Sequence, residues 1–320
     1  MPSNAIPAPQ NDHPSPTGKP DVQANDLSGD SASARPVDEA EGPSKHLIFD
    51  GVPIPIEELE KNAVIIQGNG EFLGGGATGL VERLRSGDVV KSAWTGRPTA
   101  PDCRREIATE TRIYERLGSH PRLVQMKHWD PVDCTLTLEY MPNGNLKDYL
   151  AAHDEDVSPA LRCRWAIEAA EGIELLHSYG IIQGDVGPHN FLLDDCLGLR
   201  ICDFGGSSLD GSRATVIAGV RYRLPSPPGQ RIQPATVTED LFALGSTIYF
   251  IATGRDPCSD LSEEDVERLY RDRVFPELSG VPFAESISQC WKQEAESAGT
   301  ILEFLRSSSS PGMMSSGVAS

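Results

Sequence analysis

The character of this 320-residue chain changes once, and that change limits the folds open to it. From Ala63 to Tyr140, short apolar runs are broken by glycine turns around one helical pattern; after Asn143-Gly144 the pattern is helical. VERLR and VVKSAW flank Ser86-Gly87-Asp88, a hairpin signal, and Leu136 to Tyr140 alternates as a strand does. Ser158-Pro159 offers an N-cap followed by proline at the first helical position. The helix it opens puts Leu161, Trp165, Ala169, Gly172 and Leu176 on one face and stops at Gly180; Thr238 precedes another helix running to Gly254. The residues therefore predict an α+β fold with a small β-rich lobe at about 63–140, containing one helix, and a larger helical lobe at about 145–306.

Residues 1–45 hold many prolines and acids but few large apolar side chains, so they cannot offset their ordering entropy and are expected to be disordered. The Ser-rich stretch 307–320 reads the same way, leaving 46–306 for the folded part. With 28 Lys+Arg against 47 Asp+Glu the net charge is −19, which argues against a nucleic-acid binder. Seven cysteines without a C-x-x-C pair read as reduced thiols. The longest apolar stretch, Leu241 to Thr253, is interrupted by Gly, Ser and Thr and reads as a core helix, so no membrane span is expected. The start MPSNAIPAPQ has no basic or apolar run, so no secretory signal is expected, and without a basic nuclear-signal cluster the cytoplasm is the default compartment.

Four separated pieces carry chemistry. The first is Gly74-x-Gly76-x-x-Gly79-x-Val81, where backbone N–H groups can approach a phosphate because no Cβ intervenes. A dinucleotide-binding loop would open a helix; here a hairpin follows, ending at Pro98 and Pro101, so that class is excluded. The second is Lys91, on the next strand, with a partner in the helix Cys103–Leu117, which is stopped by Gly118 and Pro121. At about 100° per residue, setting Glu110 at zero puts Cys103, Leu117, Tyr114, Ile107 and Ile113 within about 60° on either side. Glu110 thus sits mid-way along an apolar arc, where an unpaired carboxylate is costly, and Lys91 is the economical cation; Glu106, on the same arc, is the fallback partner. A helix rotated to expose Glu110 is the plain alternative.

The third piece is the run Ile182 to Asn190 (IQGDVGPHN), followed by FLL, and the fourth is Ile201-Cys202-Asp203-Phe204-Gly205. FLL and LRIC flank a turn with Asp194, Asp195 and Gly198, a second hairpin, so Asp185 and Asn190 at its entrance should meet Asp203 at its exit. Two carboxylates and an amide are the equipment for holding Mg²⁺ by oxygen and orienting a hydroxyl.

Together these residues resemble the eukaryotic protein kinase family. The resemblance covers about 65–306 and rests on GGGATGLV, VVK, a helical Glu, HPRLV, LTLEYMPNG, the LLHSYGII run into QGDVGPHN, CDFGG, TEDLFALG and QCW. It implies a two-lobed kinase fold within 46–306, binding ATP with Mg²⁺ in the cleft. It implies that Gly74, Gly76, Gly79 and Val81 cover the nucleotide, and that Lys91, held by Glu110, takes the α/β-phosphates. Asp185 would accept the proton of the substrate hydroxyl, while Asn190 and Asp203 would hold the metal. Glu139 and Met141 would offer hinge backbone to adenine, with Leu138 as gatekeeper; Asp240 would brace the catalytic loop, and Tyr114, Gln183 and Phe204 would stack between the lobes.

The departures are informative. Gln183-Gly184-Asp185 stands where the family has His-Arg-Asp, which removes the arginine that pairs with a phosphorylated activation segment. Gly187 stands where Ser/Thr kinases carry lysine; His189, where tyrosine kinases carry arginine, is either filler or a substitute at the phosphate. Leu224-Pro225-Ser226 lacks the glutamate of the Ala-Pro-Glu triplet, and Ala298-Gly299 stands where its arginine partner would be. The expected function is transfer of the γ-phosphoryl group of ATP to protein hydroxyls, Ser/Thr before Tyr, on unidentified protein substrates. The alternatives are a pseudokinase or ATP-binding interaction module, and a small-molecule phosphotransferase of the aminoglycoside or choline type, which GDVGPHN also resembles.

Overall fold

A computed structural model describes residues 46–49, 52–55, 68, 70–96, 98–225 and 235–308. The expected tail at 1–45, the end of the chain from 309 and the substituted Ser226 lie outside the described residues. Strands β1 (His46–Phe49) and β2 (Val52–Pro55) form an antiparallel pair in a unit that ends at Ala63; everything below concerns the second unit, from Val64 onward.

A five-stranded antiparallel sheet comes first. Its strands are β3 (Glu71–Gly75), β4 (Gly79–Arg83), β5 (Val89–Ala93), β6 (Met126–Asp130) and β7 (Thr135–Leu138), in the order β3-β4-β5-β7-β6. Strand β5 is central and Lys91 stands in register with Val81 on one side and Leu136 on the other. Helix α1 (Ala100–Leu117) packs against the sheet and ends at Gly118, whose φ of 64° with ψ of −153° is a conformation that glycine adopts cheaply and other residues do not. It begins three residues before the expected Cys103, because Pro101 occupies its first turn, where the missing N–H costs nothing. Its buried face holds Cys103, Ile107, Glu110, Ile113, Tyr114 and Leu117, the arc expected from the sequence. The strand expected at Leu136 to Tyr140 instead ends at Leu138.

The larger lobe is helical. Helix α2 (Leu146–His153) is capped by Asn145, and α3 (Pro159–Ser178) by Ser158, whose side chain accepts from the Leu161 N–H. Between α3 and the next long helix lie β8 (Ile181–Ile182), the hairpin β9 (Phe191–Leu193) with β10 (Leu199–Ile201), and β11 (Ser208–Leu209), which pairs with β8. Helix α4 (Val237–Thr253) starts two residues before the reading from Thr238. Thr236 and Glu239 form a capping box there, a stronger start signal than Thr238. Buried around most of its circumference, α4 is the centre of the lobe. Helices α5 (Glu263–Arg271), α6 (Ala284–Trp291) and α7 (Ala298–Ser308) complete it; α7 takes in Ser307 and Ser308, which the sequence reading placed in the tail.

One continuous core joins the lobes, from Ile107 and Leu136 above to Trp165, Phe242 and Trp291 below. At Gly245 a Cβ would stand 2.5 Å from that of Cys290, so α4 and α6 approach as closely as they do only because 245 is glycine. Among the described residues no helix is long and apolar enough to cross a membrane.

Candidate active site

A cavity of about 700 Å³ opens between the sheet and the helical lobe, a volume suited to a nucleotide. Gly76, Gly79, Val81, Lys91, Glu110, Glu139, Met141, Asp185, Asn190 and Asp203 all line it. Gly74 stands next to it on β3, and Tyr114, Gln183, Phe204 and Asp240 lie behind its wall.

Central strand β5 carries Lys91 inward, and α1 brings Glu110 to meet it at 2.7 Å. Lys91 also reaches Asp203 Oδ1 at 2.7 Å, a contact the sequence did not suggest. Glu110 is 1% exposed and Lys91 8%, so neither charge would be tolerated alone. Burial works against the lysine charge, but the Asp203 and Glu110 carboxylates outweigh it and hold its pKa above the ordinary value. The Lys91 ammonium in turn keeps the Asp203 carboxyl below its usual range. Burial pushes the Glu110 carboxyl up, against the pull of Lys91. Glu106, the fallback partner, is engaged elsewhere. Its carboxylate receives the Thr78 hydroxyl from the glycine-rich turn at 3.1 Å and the Thr215 hydroxyl from the stretch after β11 at 2.9 Å.

The β9–β10 hairpin does bring its ends together. The Cys202 N–H donates to the Asn190 carbonyl at 3.0 Å, which sets Asp203 beside Asn190. Asn190 Nδ2 donates to the Asp185 carbonyl at 2.9 Å and to Asp185 Oδ2 at 3.3 Å. That leaves the amide oxygen of Asn190 and the second oxygen of Asp203 as hard donors lining one cavity. Among the described residues no three His, Cys, Asp or Glu side chains cluster to hold a metal by themselves. Two protein oxygens with room beside them fit an ion that takes its remaining ligands from phosphate and water, as Mg²⁺ does. Burial and the Asp203 charge push the thiol of Cys202, next to this pair, well up, which disfavours its thiolate.

Behind the loop, Asp240 on α4 is 1% exposed and accepts from the Gln183 and Gly184 N–H groups at 2.8 and 2.9 Å. His177 Nε2 approaches the same carboxylate at 3.0 Å. Gln183 donates to the Asp203 carbonyl at 3.3 Å and accepts from the Asp185 N–H at 2.5 Å, so this amide joins the two halves of the site by donating and accepting at once. Gly184 has φ of 80°, and a Cβ there would meet Val216 at 3.2 Å and Ala235 at 3.3 Å. The space beside Gly184 is thus bordered by apolar side chains. Tyr114 and Phe204 meet edge to face at 5.1 Å between the lobes.

At the hinge, Glu139 lies between two anchors: its N–H donates to the Gln125 carbonyl at 2.9 Å, and its carboxylate receives Arg200 at 2.8 Å. Sequence reasoning missed Thr215, Arg200 and the engagement of Glu106 by two hydroxyls, because these partners lie far apart along the chain and carry no local signal.

A model of the protein kinase domain matches residues 69–308, three quarters of the chain. Among curated relatives, the probable serine/threonine-protein kinase drkC of Dictyostelium discoideum is 26% identical over 81% of this chain and 35% of its own length. The serine/threonine/tyrosine-protein kinase HT1 of Arabidopsis thaliana is 27% identical, over 61% of this chain and 52% of its own. The probable serine/threonine-protein kinase PBL28, also of Arabidopsis thaliana, is 32% identical over 68% of this chain and 62% of its own. The chain therefore spans less than two thirds of each of these relatives. It belongs to the protein kinase family.

Proposed function

We propose that this protein kinase family member is an active enzyme that transfers the γ-phosphoryl group of ATP to protein hydroxyls, on serine or threonine before tyrosine. One observation carries the reading: Glu110, Lys91 and Asp203 form an unbroken chain of contacts that shares its cavity with the Asp185–Asn190 pair. A scaffold that only held nucleotide would need no proton acceptor and no second metal-facing oxygen.

In this reading the backbone around Gly74, Gly76 and Gly79 covers the phosphates, Val81 packs on the base, and backbone groups of Glu139 and Met141 receive adenine. Lys91, fixed by Glu110, offers its ammonium to the α/β-phosphates. Asn190 and Asp203 would hold Mg²⁺, whose chemistry is to neutralise charge on the phosphate oxygens. Asp185 accepts the acceptor hydroxyl's proton as that oxygen bonds to the γ-phosphorus and the bridging P–O bond to ADP breaks. Gln183, the departure that most suggests a pseudokinase, keeps both its hydrogen bonds, which supports an intact loop. The serine/threonine preference rests on the names of the relatives. The seven free thiols favour a reducing compartment, and we take it to be the cytoplasm.

The test is transfer from [γ-³²P]ATP to generic protein acceptors, aminoglycosides and choline, with Asp185→Asn as control. Protein labelling that falls more than about a hundredfold in the variant, at unchanged nucleotide affinity, is the expected result. Metal-dependent thermal stabilisation by ATP with no transfer would make the chain a binding module instead.

A further inference from the structure

One polar side chain in the cavity has no part in that account. His189 is half-exposed, lines the cavity and brings Nε2 to 3.1 Å from Asp185 Oδ2. A carboxylate oxygen accepts, so the ring nitrogen donates. The same oxygen receives Asn190 Nδ2 at 3.3 Å, while Asp185 Oδ1 has no partner among the described residues.

Gly187 explains how the ring comes to stand there. Its φ of −172° is extended backbone that any residue adopts, so conformation does not ask for glycine. Space does: a Cβ at 187 would lie 2.6 Å from Cε1 and 2.8 Å from Nδ1 of His189. A lysine at 187 and the imidazole in this position exclude one another.

Resting on the phosphoryl-transfer reading above, we infer that His189 is a positioning residue: from the space over Gly187 it pins one oxygen of Asp185, leaving the other for the acceptor hydroxyl. Two donors on Oδ2 hold the carboxylate against the rotation that would exchange its oxygens. This role needs a donor at the reach of Nε2, whereas a filler needs only bulk.

His189→Leu keeps bulk and removes the donor; His189→Gln keeps an amide donor at similar reach. Both are assayed on the full chain with Mg²⁺–ATP and myelin basic protein, alongside a fluorescent ATP analogue for affinity and thermal unfolding. The leucine variant should lose about ten- to a hundredfold in kcat. Its KM for ATP and its analogue affinity should stay within about twofold, and glutamine should restore kcat to within about threefold of wild type. Gly187→Lys alone should lower kcat by collision with the ring, and His189→Ala added to it should recover part of the loss. If the leucine variant unfolds, His189→Ala replaces it in the same comparison with glutamine. Wild-type kcat in the donor-less variant, equal losses in both variants, or a loss confined to KM would overturn the role. Transfer that Asp185→Asn abolishes but His189→Leu leaves intact overturns this inference alone; wild-type protein without any transfer overturns the kinase reading and this one together.

Discussion

The floor of the cavity and its glycine-rich roof are held by opposite means. On the floor, a fully buried carboxylate from α4 takes up the N–H groups of Gln183 and Gly184, and Gln183 bonds both Asp203 and Asp185. The chain satisfies itself there. On the roof, β3 is exposed along nearly its whole length, and a Cβ at Gly74 or Gly76 would meet nothing within 4 Å. Among the described residues nothing demands glycine at those two positions, and the space beside them is open to a ligand. Gly79 differs from its neighbours, since a Cβ there would lie 2.0 Å from the Ser92 carbonyl oxygen. Within one motif, two glycines border open space and one lets β4 lie against β5.

The contrast can be broken by substitution. Asp240→Ala strands two buried N–H groups and should cost about 3 kcal/mol or more in urea unfolding, with transfer lost as the loop detaches. A variant that unfolds like wild type would show that the floor is not hung from α4. Gly79→Ala should cost about 2 kcal/mol by overpacking β4 against β5. Glu106→Ala removes the acceptor shared by Thr78 and Thr215 and should cost about 1 kcal/mol, read in thermal melts. Gly76→Ala should change stability by less than about 0.5 kcal/mol while weakening binding of a fluorescent ATP analogue. Equal destabilisation by the alanine at 76 and the one at 79 would erase the distinction.

What the sequence made legible follows from the range of the forces involved. Glu110 was readable because helical periodicity put a carboxylate in an apolar arc, and the cost of burial then demanded a cation. Asp185, Asn190 and Asp203 were readable because a short hairpin fixes the separation of its own ends. The second bond of Lys91, to Asp203, was not, since it depends on Asp203 adopting φ of 61°, an unusual conformation for a residue other than glycine. The engagement of Glu106 by hydroxyls from two other elements, and the wedge of His189 over Gly187, arise only when distant segments are packed. The start of α4 was off by two residues because Thr236 and Thr238 both offered a cap, and that of α1 by three because Pro101 fits a first turn.

Helix α1 is tied at successive turns to different parts of the molecule. Glu106 holds the glycine-rich turn and the stretch after β11, Glu110 holds Lys91, and Arg116 grips Asp210 through both guanidinium nitrogens. A compound wedged beneath this helix would therefore not loosen the tethers singly. Lifting it far enough to free the lysine would unlatch the turn above and the segment below in the same stroke, so displacement should register as one all-or-none event.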